Sequence, residues 1–337
     1  MTLGLFEKQI EGDDALLALA RLRFEQAGMG AEMHAGAPEQ LEQTLRFRPG
    51  RPAPVVVHLA REFSLADAPT RQRVLGFASQ FAGRVYGLVL HDHAGLAERP
   101  EQFVETAREI QAGLQSIRDA PLLFIEYAAG LELSVFARFH EALRSLSRVS
   151  ACIDIGHVGI WQTRQSYARR HPGEDVCALK SQPPGLPQLM PDVEAAVRSA
   201  LPALLKLIER IGAFGKPVHF HLHDGHPLST FSRWGVSDHL SFMAEIPLGF
   251  EYRGRRAAPL MYGPGGLGQI VTNALASIVP GGASFTLEIH PQAERLPLGD
   301  AAPLFTHWTD KTNAERMNAW LATLARNHTL LREACAV

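Results

Sequence analysis

The chain has 337 residues, 20% charged and 46% hydrophobic, and its 33 Lys and Arg nearly balance 35 Asp and Glu, which excludes an overall basic field for nucleic acid. The first residues lack a basic segment followed by a long apolar one, and no run is long enough to span a membrane, so the sequence predicts neither a secretory signal nor a membrane anchor. Three cysteines without metal-type spacing favour a reducing, cytoplasmic environment.

Apolar runs that predict β-strands alternate with helical segments along the chain. Buried-type strands that alternate with helices predict a parallel sheet, and eight such units predict a (β/α)8 TIM barrel, an α/β fold. We therefore expect one barrel domain over residues 1–337. The strand candidates are residues 2–6, 31–34, 54–58, 85–91, 121–126, 149–157, 218–223 and 284–290.

Two stretches rich in proline and glycine interrupt the alternation. Residues 158–191, with room for one short helix, and residues 226–268 are predicted to be long loops after strands 6 and 7, at the carboxyl ends of the strands. The second stretch includes the glycine-rich segment Tyr262–Gly268, which is predicted to be a flexible turn. Both loops are expected to cover the mouth of the barrel.

Many of the predicted strands end in a side chain that binds metal ions. In a TIM barrel the carboxyl ends of the strands open onto one face, so these side chains are expected to converge. Imidazoles and carboxylates are costly to bury alone but are good ligands for divalent ions. The sequence therefore predicts a metal site from His58, His91, Glu126, Asp154, His157, His221 and Glu288.

The number of donors leaves the number of ions open. One site is expected from Glu126, Asp154, His221 and Glu288, with room for water or substrate. Further donors for a second or third ion are His58, His91, His157, Asp238 and His239. One to three ions are expected, and each could be Mn, Zn, Mg, Co or Fe.

Alternatively, His58 and His91 do not bind metal but orient the ligands by hydrogen bonds. The same supporting role is expected of His93, His223 and His226. The remaining histidines are expected to be surface or core residues and not ligands: His34, His140, His171, His307 and His328.

The ordered motifs resemble the xylose isomerase-like TIM-barrel superfamily over roughly residues 50–295. The resemblance rests on a strand-ending Glu, then Asp-x-x-His, His-Leu-His-Asp, a Pro-Gly loop and a final Leu-Glu. In the epimerase-like branch it implies one ion on Glu126, Asp154, His221 and Glu288. Glu126 and Glu288 would be the catalytic acid–base pair. The substrate side would include His157, Asp224, His223 and His226.

Two other branches of the superfamily remain open. An endonuclease IV-like trinuclear zinc phosphodiesterase would use His58, His91 and His157 as well, but Asp238 and His239 are adjacent here, whereas that family has Asp-x-His. A multinuclear iron oxidase would match Gly225-His226 and Ser237-Asp238-His239, but the strand of Glu126 lacks that branch's Glu-Asn pair.

Enclosing loops and a balanced charge favour a small substrate over a nucleic acid duplex. An isomerase or epimerase of a sugar-like compound is therefore the preferred hypothesis. A barrel that only binds or assembles is disfavoured, because buried carboxylates without a partner would destabilise it. The sequence leaves homo-oligomer formation open.

Overall fold

The computed structural model describes residues 2–6, 19, 22–45, 54–181, 184–229, 250–252, 255–257, 261–288 and 314–335. Its strands are β1 (Thr2–Phe6), β2 (Gly30–Ala35), β3 (Val55–Leu59), β4 (Gly87–His91), β5 (Leu122–Glu126), β6 (Val149–Asp154), β7 (Val218–Leu222), β8 (Phe250–Tyr252), β9 (Arg255–Ala257) and β10 (Ala283–Leu287).

The described α-helices separate most of these strands. Their bounds are Pro38–Leu45, Ala68–Gln80, Pro100–Ser116, Leu133–Ala142, Ile155–Ala168, Leu186–Val197, Ala200–Gly212, Gly263–Ser277 and Ala314–Cys335. Short 3-10 helices span Ala94–Ala97, Val176–Ser181 and Pro227–Ser229. Among the described residues, no helix is both long and apolar enough to cross a membrane.

Seven strands, β1 to β7, pair in chain order, and each neighbouring pair is parallel. In the barrel order, β10 lies between β7 and β1. A separate antiparallel pair is formed by β8 and β9. An α/β barrel of parallel strands alternating with helices is thus confirmed. The count of eight complete β/α units stays a prediction, because residues 7–18 and 289–313 lie outside the described residues.

Strands β2 to β7 and β10 are buried on both faces over most of their residues, as their apolar sequences predict. Every residue of β3 is buried, including the Val55-Val56-Val57 run. Inside the barrel, Phe124 packs with Val56, Val89 and Cys152. Gly87 of β4 makes room for this ring, because a Cβ atom there would lie 2.5 Å from it. A glycine inside a strand therefore marks a close approach.

The described parts of the chain group into two compact units. The first comprises Met1–Asp154, Leu207–His221 and Ala274–Thr286, and it contains nearly all the barrel strand residues. The second comprises Ile155–Lys206, Leu222–Asn273 and Leu287–Val337. The prediction of a single domain stays a prediction.

A buried lysine joins the end of one helix to the next strand in the first unit. The ammonium of Lys216 donates hydrogen bonds to the carbonyl oxygens of Leu143 (2.9 Å), Leu146 (3.4 Å) and Val149 (2.6 Å). Burial lowers the pKa of Lys216 to about 8. The amine therefore satisfies carbonyl groups that follow helix Leu133–Ala142.

The prediction of an irregular loop over residues 158–191 is wrong. A helix, Ile155–Ala168, follows β6 directly, and a second helix, Leu186–Val197, comes later in the same stretch. Pro187 lies in the first turn of the second helix, where its missing N–H costs nothing. Proline at this position marks the start of a helix and not a loop.

The predicted loop at 226–268 is also partly wrong. Helix Gly263–Ser277 begins inside the glycine-rich segment that was expected to be a flexible turn. Only Gly263 has a positive φ, 63°, among the glycines of that segment. The carboxylate of Asp224 accepts hydrogen bonds from the backbone N–H groups of Met261, Tyr262 and Gly263, which stabilises this helix start. Residues 230–249 lie outside the described residues.

Candidate metal centre

The carboxylate of Glu126, the last residue of β5, lies among three imidazoles in the first unit. Its Oε2 is 3.0 Å from Nε2 of His58 and 3.4 Å from Nε2 of His91. Its Oε1 is 3.5 Å from Nδ1 of His221. Glu126, His58 and His221 are buried, and His91 is partly exposed. One carboxylate is thus shared by side chains from three other strands.

Strand register places these groups together. His91 is the Cα partner of Glu126 across β4 and β5, and Asp154 is the partner of His221 across β6 and β7. Because all these strands are parallel, residues that end them lie at the same end of the barrel. Asp154 Oδ2 lies 3.9 Å from Nδ1 of His221. The convergence predicted from the strand ends is therefore present for these side chains of the first unit.

The orientation of His58 is compatible with metal binding. Its Nδ1 is 3.1 Å from the carbonyl oxygen of Leu59, which can only accept a hydrogen bond, so Nδ1 carries a proton. Nε2 then faces Glu126 and His91. Histidine ligands commonly donate one ring N–H to a carbonyl group and bind the metal with the other nitrogen.

The electrostatics of the cluster keep Glu126 ionised. Burial alone would raise the pKa of Glu126, but attraction by His91 and His221 and the hydrogen bond from His58 outweigh it, and the pKa lies well below its usual range. For His58, burial lowers the pKa, but the hydrogen bond to Glu126 and its charge raise it above the usual value. An anionic carboxylate among imidazoles has the charge that a cation requires.

One buried carboxylate of this cluster was missed by sequence reasoning. Glu32 of β2 is fully buried, and its Oε1 is 3.0 Å from Nε2 of His221. The ring of His34, two residues later, packs against that of His58 at a tilt of 38°, with centroids 4.5 Å apart. The signal was present, since Ala31-Glu32-Met33-His34 alternates apolar and polar residues in a strand-like run. Glu32 precedes the end of this predicted strand, and His34 at its end is not among the predicted ligands.

The second unit holds a group of polar residues from the same predicted set. Ligand atoms of His223 and Glu288 lie within 4.8 Å of one another, and the ring of His157 is 6.4 Å from that of His223, centroid to centroid. His157 lies in the first turn of helix Ile155–Ala168, not in the strand. Glu288 follows β10, and its backbone N–H donates to the carbonyl oxygen of Leu222.

Other predicted substrate residues of the second unit already have structural contacts. Both carboxylate oxygens of Asp224 accept backbone N–H groups, and burial raises its pKa to about 6, against the opposing effect of those hydrogen bonds. Nδ1 of His226 accepts the N–H of Leu228, and burial lowers the pKa of His226 to about 3. Their substrate roles stay predictions. Asp238 and His239 lie outside the described residues.

The first unit's donors fit a divalent ion. Sets of three ligand atoms within 4.8 Å of one another are offered by His58, His91 and Glu126, by Glu32, His58 and His221, and by Cys152, His219 and His221. Nitrogen and carboxylate donors in this number suit Zn, Mn, Fe or Co. Several groups of the chain could therefore hold a metal ion, and they do not select one metal.

Comparison with known proteins adds little to this geometry. No protein-family model and no curated protein matches the chain. Two solved structures of the carboxyl transferase domain of Rhizobium etli pyruvate carboxylase, one with 3-hydroxypyruvate and one with pyruvate, match with a TM-score of 0.40 and 10% identity. Each match covers 98% of this chain and 48% of the other, so the chain spans about half the length of those solved chains.

Proposed function

We propose that the protein is a divalent-metal-dependent enzyme, an isomerase or epimerase of a sugar or sugar-like small molecule. The observation that carries the proposal is the buried carboxylate of Glu126, which lies among the ring nitrogens of His58, His91 and His221. A buried carboxylate in this position can bind a cation and exchange a proton with a substrate.

In this proposal the ion is held by Glu126, Asp154, His221 and Glu288. When bound, it polarises a carbonyl and the adjacent hydroxyl of the substrate, which lowers the cost of removing the proton from the carbon that bears the hydroxyl. Glu126 takes or returns that proton at a carboxylate oxygen, and Glu288 acts as its partner. His58 and His91 keep the carboxylate of Glu126 in place. His157 contacts a substrate hydroxyl, with Asp224, His223 and His226 on the substrate side.

Exchange of Glu126 for glutamine tests the proposal. Glu126→Gln keeps the shape of the side chain but removes its charge and its basicity. We expect turnover to fall at least 100-fold, the lower end of what a general base contributes. Turnover of a panel of ketoses and aldoses in D2O would be followed by NMR, because proton transfer by a carboxylate incorporates solvent deuterium beside the carbonyl.

Glu132→Gln is the matched control, since Glu132 is exposed and its side chain does not cap the helix that follows. Its turnover should equal that of the unchanged protein. Full activity of Glu126→Gln would exclude Glu126 as the base.

A second candidate function is favoured by the two imidazoles that contact Glu126. His58 and His91 supply ligands for another ion, as in an endonuclease IV-like phosphodiesterase or a multinuclear iron oxidase. Metal content of the purified protein distinguishes these candidates: about one ion per chain supports the epimerase, two or three zinc ions the phosphodiesterase, and coloured iron-containing protein the oxidase.

A further inference from the structure

Glu32 contacts two histidines of one strand at once. Its Oε1 lies 3.0 Å from Nε2 of His221, and its Oε2 lies 3.0 Å from Nε2 of His219. The hydroxyl of Thr286 also donates to Oε2. Glu32, His219, His221 and Thr286 are all fully buried. This carboxylate is therefore held by three donors in the interior of the first unit.

The contacts of Glu32 set which nitrogen of His221 carries a proton. Oε2 of Glu32 accepts from the hydroxyl of Thr286 and lies 3.0 Å from Nε2 of His219, and Oε1 lies 3.0 Å from Nε2 of His221. The carboxylate is the acceptor for these three groups, so Nε2 of His221 donates to it. In the neutral ring the lone pair then lies on Nδ1. That nitrogen is 3.5 Å from Glu126 and 3.9 Å from Asp154.

A hydrogen-bonded chain behind Glu32 fixes its position. Nδ1 of His219 is 2.7 Å from Oγ of Ser284. The hydroxyl of Ser284 donates to Nδ1 of His219, and Nε2 of His219 donates to Oε2 of Glu32. Each member of the chain has a defined donor and acceptor, which leaves Glu32 little freedom to rotate.

We propose that Glu32 is a positioning residue that fixes the tautomer and orientation of His221, so that Nδ1 faces the position between Glu126 and Asp154. This inference rests on the proposed function, because it assigns Glu32 to the hydrogen-bond shell of the metal ligand His221. Carboxylates that accept the second N–H of a ligating histidine raise its basicity and its metal affinity.

The tautomer of His221 is measured first, in metal-free protein. Long-range 1H–15N correlation spectra of histidine-labelled protein report which ring nitrogen is protonated, and the signals of His221 are assigned by their loss in His221→Asn. We expect protonated Nε2 and unprotonated Nδ1 at pH 8. A predominant Nδ1–H tautomer would overturn the proposal.

Cobalt affinity is measured next, for the unchanged protein, Glu32→Gln and Thr286→Val. The amide of glutamine cannot accept from both histidines, so we expect Glu32→Gln to bind Co2+ 10- to 100-fold more weakly. Thr286→Val is the matched control: it removes a hydroxyl that contacts the same carboxylate and Nε2 of His219, and the hydrogen bonds of the described residues include none from this hydroxyl to His221. We expect it to change the affinity less than 3-fold.

Two outcomes of the cobalt titration contradict the role of Glu32. Unchanged affinity in Glu32→Gln shows that it does not position His221. Equal losses in Glu32→Gln and Thr286→Val indicate a general loosening of the interior. If the unchanged protein binds no cobalt, the proposed function fails instead, and the NMR spectrum alone then decides whether Glu32 sets the tautomer of His221.

Discussion

At the scale of single residues, His140 shows how burial controls a charge. Its ring lies 4.5 Å from that of Phe136 and 5.3 Å from that of Phe139, centroid to centroid. Neither ring nitrogen has a hydrogen-bond partner among the described residues. Burial, with the nearby charge of Lys216, lowers the pKa of His140 to about 3. The folded protein therefore holds this histidine neutral.

His140 makes the stability of the protein depend on pH. Between pH 6.5 and 3 the unfolded chain binds a proton at this imidazole and the folded chain does not. The free energy of unfolding should therefore fall as the pH falls through this range, by about 1.4 kcal/mol per pH unit from this residue. Urea unfolding at several pH values should show a slope that is shallower by that amount in His140→Phe. Phe139→Leu, which disturbs the same packing without a titratable group, should keep the slope of the unchanged protein.

Individual site residues differ in how far the sequence predicts them. His58, His91, Glu126 and Asp154 each follow an apolar run, and His221 lies near the end of the alternating strand Val218–Leu222, so topology brings these residues together. The role of Glu32 is not predicted in this way, because it depends on contacts across the barrel interior to a strand far along the chain. A pattern within one segment carries no information about such a partner.

At the scale of secondary-structure elements, two glycines differ in the space available for a side chain. Gly87 lies inside β4 against the ring of Phe124, whereas an added Cβ at Gly76, in helix Ala68–Gln80, would meet nothing within 4 Å. Gly87→Ala should lower the free energy of unfolding by about 1–3 kcal/mol, because it overpacks the barrel interior. Gly76→Ala should raise it by about 0.5–1 kcal/mol, because alanine is the better helix former.

Thermal and urea unfolding of both alanine variants measures this contrast. The two substitutions add the same methyl group, so any difference in sign reflects the surroundings. A neutral Gly87→Ala would show that Phe124 can move aside, and the strand would then have no need for glycine at this position.

Strands were predicted more accurately than the segments between them. An apolar run such as Val55-Val56-Val57 indicates a buried strand whatever its neighbours are, and β3, β5 and β6 lie within two residues of their predicted positions at each end, apart from the residues after Asp154. Helix Ile155–Ala168 was missed because its first residues read as a continuation of the strand and the prolines beyond it read as a loop. The start of helix Gly263–Ser277 depends on the distant Asp224, which no local pattern reveals.

At the scale of the whole molecule, metal binding should couple to stability. The first unit gathers its proposed ligands from β3 to β7, so an ion that binds only the folded chain joins segments that are far apart in sequence. At a metal concentration 100 times the dissociation constant, the free energy of unfolding should rise by about 2.7 kcal/mol. Calorimetry with Zn2+ or Mn2+, and again after chelation by EDTA, measures the change in Tm.

The variant His58→Ala, His91→Ala provides a comparison for the thermal experiment. It removes two imidazoles on Glu126 and should reduce the metal-dependent rise in Tm. An identical rise in both proteins would place the ion elsewhere.

The lysine that satisfies three carbonyl groups has a chemical consequence. Burial lowers the pKa of Lys216 to about 8, so more of the amine is uncharged at neutral pH than in an ordinary lysine, yet only 8% of the residue is accessible. Acylating reagents would thus reach this nitrogen only during transient opening of the surrounding helix and strand. The rate at which Lys216 is acylated, measured by mass spectrometry, would therefore report how often this part of the barrel opens.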